Sequence, residues 1–430
     1  MRIGIIADDL TGANDSGVQL TRAGLTTAVR FHMQNSDTKS VEEALVIDTD
    51  SRSIAPEEAY KQVKEAAQTL RDKQVEIVYK KLDSTLRGNI GCEIDAMYDV
   101  YQPDFVIIAP AYPKNGRVVK NGDLLLHSTP LAETEMAKDP KSPVISSSVK
   151  KIVQNQTNRD IGEINVEVLR KGYDSVRKEL EKFKKADISY VIFDSEVEED
   201  LFAIADCIKR LAYSVVWVGS AGLANHLPRT FELTKKSQLE PRDLATDPVL
   251  LVAGSVSSVT RNQLTRFLER KDVASVELPS HLLIDPSAYK EELNKAELRI
   301  ATLYEQGKNI AIFSSGSRAD IEKAQAAGKE LGMTETDVSN KIVEQMGRLV
   351  HTIVKTQKYA GIIMTGGDTA KKICNEMNVS GIRLIDEVEV GVPLGKFIGG
   401  HDLHVVTKAG AFGSEDTFSK ALTALKGEPS

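Results

Sequence analysis

The chain has 430 residues, 41% hydrophobic and 27% charged, with a formal net charge of −7. That length calls for two large domains or three small ones, and the composition excludes disorder, while apolar runs broken by charge exclude a bilayer span. The acidic balance disfavours nonspecific nucleic-acid binding but leaves anionic small molecules open, because helix N-termini, backbone N–H nests and a few placed cations can hold them.

From the first residues the pattern is strand, with no export-type leader between Met1 and Ala7, so a cytoplasmic protein is expected. Buried-strand runs follow at Ile3–Ala7, Leu45–Asp48, Ile77–Lys80, Phe105–Ala109, Tyr190–Phe193 and Val215–Val218. Between them, Gly12–Ala23, Glu57–Leu70, Gly91–Tyr101 and Glu199–Leu211 carry apolar residues at helical spacing. The stretch Ala111–Pro143 is too long for a simple connection and reads either as an excursion over a cleft or as an irregular surface insertion.

The segment Leu239–Pro248 contains two prolines and four charges and reads as a hinge. Residues 1–238 and 249–430 then form separate domains joined by 239–248. Beyond the hinge the pattern restarts with strands at Val249–Ala253, Ile310–Phe313, Gly361–Met364 and Leu403–Lys408, and a long helix at Glu335–Val354. The expected fold is α/β, with two α/β domains and a cleft between them. Cys92, Cys207 and Cys374 are far apart and form no C-x-x-C, so reduced packing residues are expected.

Chemistry gathers at strand ends. After the first strand, Asp8, Asp9 and Thr11 stand just before a helix, where ligands bind in open α/β sheets. A carboxylate there can accept a hydroxyl proton or bind a metal, although any one of these residues alone is better explained as a helix cap. The run Lys80-Lys81-Leu82-Asp83-Ser84-Thr85-Leu86-Arg87-Gly88-Asn89 supplies cations for a carboxylate and polar groups for hydroxyls. Arg52 either converges on the same anion or makes a surface ion pair.

In the second half, glycine turns end three strands: Gly254-Ser255-Val256-Ser257, Gly366-Gly367-Asp368-Thr369 and Lys408-Ala409-Gly410. Each can present amides to phosphate, and a helix starting just after Asp368 would aim its positive end at a γ-phosphate. One such turn is weak; three in one domain favour a nucleotide site. Gly391–Phe397 only approaches a P-loop, no dinucleotide fingerprint occurs, and His401 and His404 lack further metal ligands nearby.

Together these motifs resemble the four-carbon acid sugar kinase family. The resemblance spans nearly the whole chain and rests on IIADDLTGANDSGVQL, VYKKLDSTLRGNIG, ETEMAKDPKSPV, VAGSVSSVTRNQ, MTGGDTA and TKAGAFGSEDT. It implies an N-terminal sugar-acid domain, a C-terminal nucleotide domain and magnesium-dependent transfer from ATP to a terminal hydroxyl of an acid such as D-threonate or D-erythronate. Substrate binding is carried onto Asp9, Arg52 and Lys81–Ser84, and ATP binding onto Ser255, Gly366–Thr369 and Gly410.

The reading of the residues adds Asp8 and Arg87 on the acid side, and Gly254, Ser257 and Lys408 on the nucleotide side. Asp9 is favoured over Asp368 as the base, with Arg87 and Lys81 holding the acid's carboxylate; the metal ligands are left unassigned. The expected partners are the sugar acid and ATP, with neither nucleic acid nor membrane, and self-association is left open. A dinucleotide-dependent hydroxy-acid oxidoreductase and a noncatalytic sugar-acid sensor are the competing classes.

Overall fold

The computed structural model describes residues 1–31, 42–138, 143–235, 244–254, 257–410 and 412–428. The chain divides into two compact units, Met1–Gln238 and Leu239–Ser430. Part of the sequence-derived hinge, at 239–243, lies outside the described residues.

In the first unit, eight strands form a parallel sheet: β1 Ile3–Ala7, β2 Thr27–Phe31, β3 Ala44–Asp48, β4 Ile77–Lys81, β5 Phe105–Ala109, β9 Ile161–Ile164, β10 Tyr190–Phe193 and β11 Val215–Gly219. Their order is β2-β3-β1-β4-β11-β5-β10-β9. Every residue of β1 to β5 is buried, as parallel strands covered on both faces require, which is why these segments read as unbroken apolar runs. The turns that follow β1, β3 and β4 leave from one edge of three adjacent strands. Residues remote in sequence are thereby brought together.

The helices begin where local chemistry allows. Asp9 caps Leu10–Arg22, and Pro56, at the first helical position, opens Pro56–Asp72 with Glu57 and Glu58 in its first turn. Much of the long stretch Ala111–Pro143 is ordered as a small antiparallel sheet of β6 Arg117–Lys120, β7 Asp123–Leu126 and β8 Thr129–Pro130. Its first hairpin turns on Asn121-Gly122, both at positive φ, and their amides donate to the Asp194 carboxylate at 2.8 and 2.9 Å.

The second unit holds β12 Val249–Ala253, β13 Val273–Leu278, β14 Asn309–Ser314, β15 Gly361–Thr365, β16 Gly381–Glu389, β17 Val392–Ile398 and β18 His404–Lys408. Their order is β13-β14-β12-β15-β18-β17-β16, parallel except where β17 runs against both its neighbours. The core on one face gathers Val249, Leu251, Leu264, Ile363, Val406 and Leu422, with Phe267 and Phe418 meeting edge-to-face at 6.0 Å. The near-P-loop Gly391–Phe397 is a turn followed by β17, and Gly395 lies within the strand with no room for a side chain beside Ile382. Among the described residues no helix is long and apolar enough to cross a membrane.

Candidate active site

In the first unit, the ends of β1, β3 and β4 bring together Asp8, Asp9, Arg52, Lys81, Asp83 and Arg87. Arg52 Nε and Nη2 donate to the two oxygens of Asp8 at 2.7 and 3.1 Å, and Nη1 lies 2.8 Å from Asp9 Oδ2. Nη2 also stands 3.9 Å from Asp83. The surface-pair reading of Arg52 therefore fails, since its side chain is only 17% exposed and serves a buried cluster. Gly88, at positive φ, lets the chain pass so close to Arg52 that a Cβ there would meet its backbone oxygen at 2.9 Å.

Asp9 is both a cap and a member of this cluster: Oδ1 accepts from Gly12 N at 2.8 Å while Oδ2 faces Arg52. Burial raises its carboxyl above the ordinary range, and the Asp8 charge adds to this against the opposing pull of Arg52. For Asp8, burial acts in the same direction, yet Arg52, helped by Lys80 and Lys81, outweighs it and holds the group low. Two adjacent carboxylates thus have opposite tendencies. One stays a fixed anion, and the other is tuned towards proton acceptance.

Asp83 is gripped by Arg87, with Nε at 2.6 Å and Nη2 at 3.2 Å, and by Thr85 Oγ1 at 2.5 Å. Burial works against its charge, but Arg52 and Arg87 keep its carboxyl far below the usual range. Arg87 is thereby engaged inside the turn. Lys81 Nζ donates to Leu82 O at 2.7 Å, and a Cβ at Gly12 would lie 2.9 Å from it. Leu82 is buried and bonds through its backbone N–H to Gly219 O, while Ser84 is half-buried on the same turn.

A buried ion pair not anticipated from the sequence underlies the cluster: Lys80 Nζ to Glu93 Oε2 at 2.8 Å, with both side chains at most 1% exposed. The available signal was Glu93, an acid on the inward face of the helix Ile90–Tyr101. A pocket of about 270 Å³ opens beside Arg52, lined by Ile54, Leu86, Asn89, Val144, Ser146 and Gln156 among others. Among the described residues no group of three or more His, Cys, Asp or Glu is arranged to hold a metal ion.

In the second unit the glycine turns converge at the ends of β12, β15 and β18. Gly366, at φ 95°, donates to Lys408 O at 2.9 Å, and Ser257 Oγ donates to Gly410 O at 3.0 Å. A Cβ at Gly254 would stand 2.6 Å from Thr369 Oγ1, so these turns approach as closely as glycine permits. The helix after β15 starts at Gly367, before Asp368 rather than after it. Ser255 lies outside the described residues, as does the Asp368 side chain.

Lys408 Nζ donates to the carbonyls of Ala409, Gly410 and Phe412 at 2.9 to 3.2 Å, and burial pushes the amine down to about 8. It organises its own turn from within. His401 stacks edge-on to His351 with ring centroids 5.5 Å apart. Cys92, Cys207 and Cys374 are all free thiols.

Two family models match, a sugar-binding N-terminal domain over residues 3–227 and a nucleotide-binding C-terminal domain over residues 250–418. The chain is 32% identical to a D-threonate kinase of Salmonella typhimurium over 425 residues, covering 98% of each chain. The chain belongs to the four-carbon acid sugar kinase family. It is accordingly a phosphotransferase with an alcohol acceptor, and its substrates are a sugar acid and a nucleotide.

Other relatives of this kinase differ in acid. A D-erythronate kinase of Heliobacterium modesticaldum is 32% identical, with 96% of this chain and 94% of the relative covered. A 3-oxo-tetronate kinase of Pseudomonas fluorescens is 28% identical, with 99% and 97% covered. The fold recurs in crystal structures of a Haemophilus influenzae protein (TM-score 0.80, 23% identity, 97% and 98% covered) and of a Salmonella typhimurium protein described as a putative tRNA synthase (TM-score 0.83, 24% identity, 98% of each).

Proposed function

We propose that this kinase transfers the γ-phosphoryl group of ATP to the terminal (4-) hydroxyl of D-threonate or D-erythronate, in the cytoplasm, with Asp9 as the base. The observation that carries this reading is Asp9 itself, a carboxylate at the end of β1, oriented by Gly12 N–H and Arg52 and raised in pKa by burial. A base works best when its pKa approaches the working pH, and Asp9 is the member of the Asp8–Asp9 pair tuned that way.

In this mechanism the acid's carboxylate is received by Lys81 and Arg52, and its hydroxyls by Ser84 and the surrounding backbone. Arg87 acts through Asp83, whose turn it fixes. Of these residues only Arg52 lines the pocket of about 270 Å³, so the acid's reacting end would lie at the strand ends beside that pocket rather than within it. The 4-hydroxyl oxygen attacks the γ-phosphorus in line as its proton passes to Asp9. The β–γ bridging P–O bond breaks, and ADP leaves with the electron pair.

On the nucleotide side, the amides of Gly254 and Gly367, with the start of the helix Gly367–Glu376, would receive phosphate oxygens, and the Lys408–Gly410 turn, which takes up the Gly366 amide, would brace them. Asp8, Asp9 and Asp83 are each held by an arginine and do not suit a metal ion. Magnesium would instead be carried on the nucleotide's own phosphate oxygens and water, where it neutralises charge.

The test is an ADP-release assay over a panel of four-carbon acids with ATP and magnesium. The reading predicts turnover with D-threonate or D-erythronate, a 4-phosphorylated product by NMR, and one ADP per acid consumed. Turnover confined to 3-oxo-acids would reject the proposed substrate, and phosphorylation at another hydroxyl would reject the proposed position.

A further inference from the structure

The nucleotide-binding unit contains a cation that the glycine turns do not explain. Arg261 lies in the helix Ser258–Leu268, one residue after Thr260, whose hydroxyl donates to Gly410 O at 2.9 Å. Its Nη1 donates to Ser314 O at 2.9 Å. A guanidinium carries five donors, and among the described residues Nε and Nη2 are buried with no partner. No described carboxylate forms an ion pair with it, and burial lowers its pKa against the opposing charge of Glu277. A half-buried cation with two donors unmatched is costly unless an acceptor completes it, and an anion does so best.

Position indicates which anion. Ala253 of β12 pairs with Phe313 of β14 on one side and with Thr365 of β15 on the other. Ser314, Gly254 and Gly366 are the next residues along these strands, so they stand abreast at one edge of the sheet. Neighbouring strands lie about 4.8 Å apart, so Arg261 is anchored one strand from the Gly254 turn. The guanidinium also lies against the backbone of exposed Gly316, where a Cβ would come 2.5 Å from Arg261 Cζ.

We propose that Arg261 binds a phosphate of the nucleotide that remains on ADP after transfer. This rests on the nucleotide reading given above and adds to it a specific residue beyond the glycine turns. The Arg261 guanidinium, anchored to Ser314 O, lies beyond β12 as seen from the β15 turn, where on the reading above the helix Gly367–Glu376 would face the transferring group. The contact is therefore made equally in substrate and product, and it governs nucleotide affinity rather than the chemical step.

The experiment measures ADP affinity by calorimetry, together with kcat and both KM values, for the unaltered protein, Arg261→Met and Gly316→Ala. Charge-assisted hydrogen bonds of this kind correspond to a loss of about ten- to a hundredfold in affinity when removed. Arg261→Met should weaken ADP by that factor, raise the KM for ATP in parallel, and leave kcat at saturating ATP and the KM for the acid within about twofold.

Gly316→Ala keeps the charge but pushes the guanidinium aside, so it should reproduce the effect in part and serves if Arg261→Met fails to fold. ADP affinity within twofold of the unaltered protein in either folded variant would overturn the assignment, as would a fall in kcat with ADP affinity retained. If the unaltered protein does not bind ADP at all, the nucleotide reading fails first and this proposal falls with it.

Discussion

Arg52 Nη1 stands 2.8 Å from Asp9 Oδ2 while the same guanidinium grips both oxygens of Asp8. Asp8 is thereby kept ionised beneath the site, and the second contact fixes the orientation of Asp9 without neutralising its tendency to take a proton.

Asp9→Asn preserves size and capping ability, since Asn is as good an N-cap as Asp. If Asp9 is the base, kcat falls by about 10²–10⁴-fold while calorimetry still detects the acid and ATP. The acid limb of the kcat/KM profile in the unaltered protein should lie above 3.8, because the carboxyl is raised from that value, and should disappear in the variant. Near-normal turnover by Asp9→Asn would move the role elsewhere, with Asp368 the next residue to change.

Gly12→Ala separates stability from function. Alanine in a helix is favoured over glycine by about 0.5–1 kcal/mol, which offsets the roughly 0.5–2 kcal/mol that disturbing the Asp9 cap costs, so stability should change little. The new Cβ would nevertheless lie 2.8 Å from Asp9 Oδ1 and 2.9 Å from Lys81 Nζ, so both flexible ends must shift. A variant with unchanged melting temperature and at least tenfold lower kcat/KM for the acid is expected, on the order of one lost hydrogen bond to a charged group. Full activity would show that the Asp9–Lys81 geometry is not critical.

Arg52→Ala should raise the KM for the acid far more than that for ATP and also lower the melting temperature, because Asp8 loses its bidentate partner. The loss should be below the roughly 3–5 kcal/mol of a fully buried pair, since Arg52 retains some solvent contact. Arg52→Lys should recover part of the stability and little of the acid affinity, as one ammonium cannot replace a planar fork. Equal effects on both substrates would count against an acceptor role.

Acid sensitivity in the second unit should trace to Glu389. Its carboxylate accepts from Ser414 N at 3.0 Å and Ser414 Oγ at 2.6 Å, as well as from Thr417 and Lys420, fastening the segment after Gly410 to β16. Burial opposes the charge, but these donors bring its pKa from 4.5 down to about 2. The stability it contributes is therefore full above about 4.5 and is lost as pH falls through about 2. Glu389→Gln should be less stable at pH 7 and show a flatter stability profile between those limits; an unchanged profile would exclude this link.

Much of the α/β pattern was legible because parallel strands buried on both faces have little choice but to be apolar. Val249–Ala253 and Phe105–Ala109 appear in the structure with the bounds read from sequence. The hairpin of β16 and β17 escaped because exposed Arg383 and the acids Asp386, Glu387 and Glu389 interrupt the apolar residues of β16, so no apolar run marks it. The small sheet in Ala111–Pro143 did carry a signal, Asn121-Gly122 between two short β-rich runs, which was lost among the surrounding Pro, Gly and polar residues. In the site, Asp8, Asp9 and Arg52 were legible as strand-end residues. Neither the bidentate Arg87–Asp83 pair nor Arg261 could be read, because both depend on side-chain direction rather than on spacing.

The Lys80–Glu93 pair lies out of reach of water, so neither partner can be replaced singly without stranding the other's charge. Two sites thirteen positions apart on different elements should therefore drift as one character. A library randomising both should return survivors enriched for matched combinations, either a cation with an acid or two neutral residues of similar volume. Such coupling would also set the order in which acceptor preference can be re-engineered, because changes above this floor would be tolerated only while its charges remain balanced.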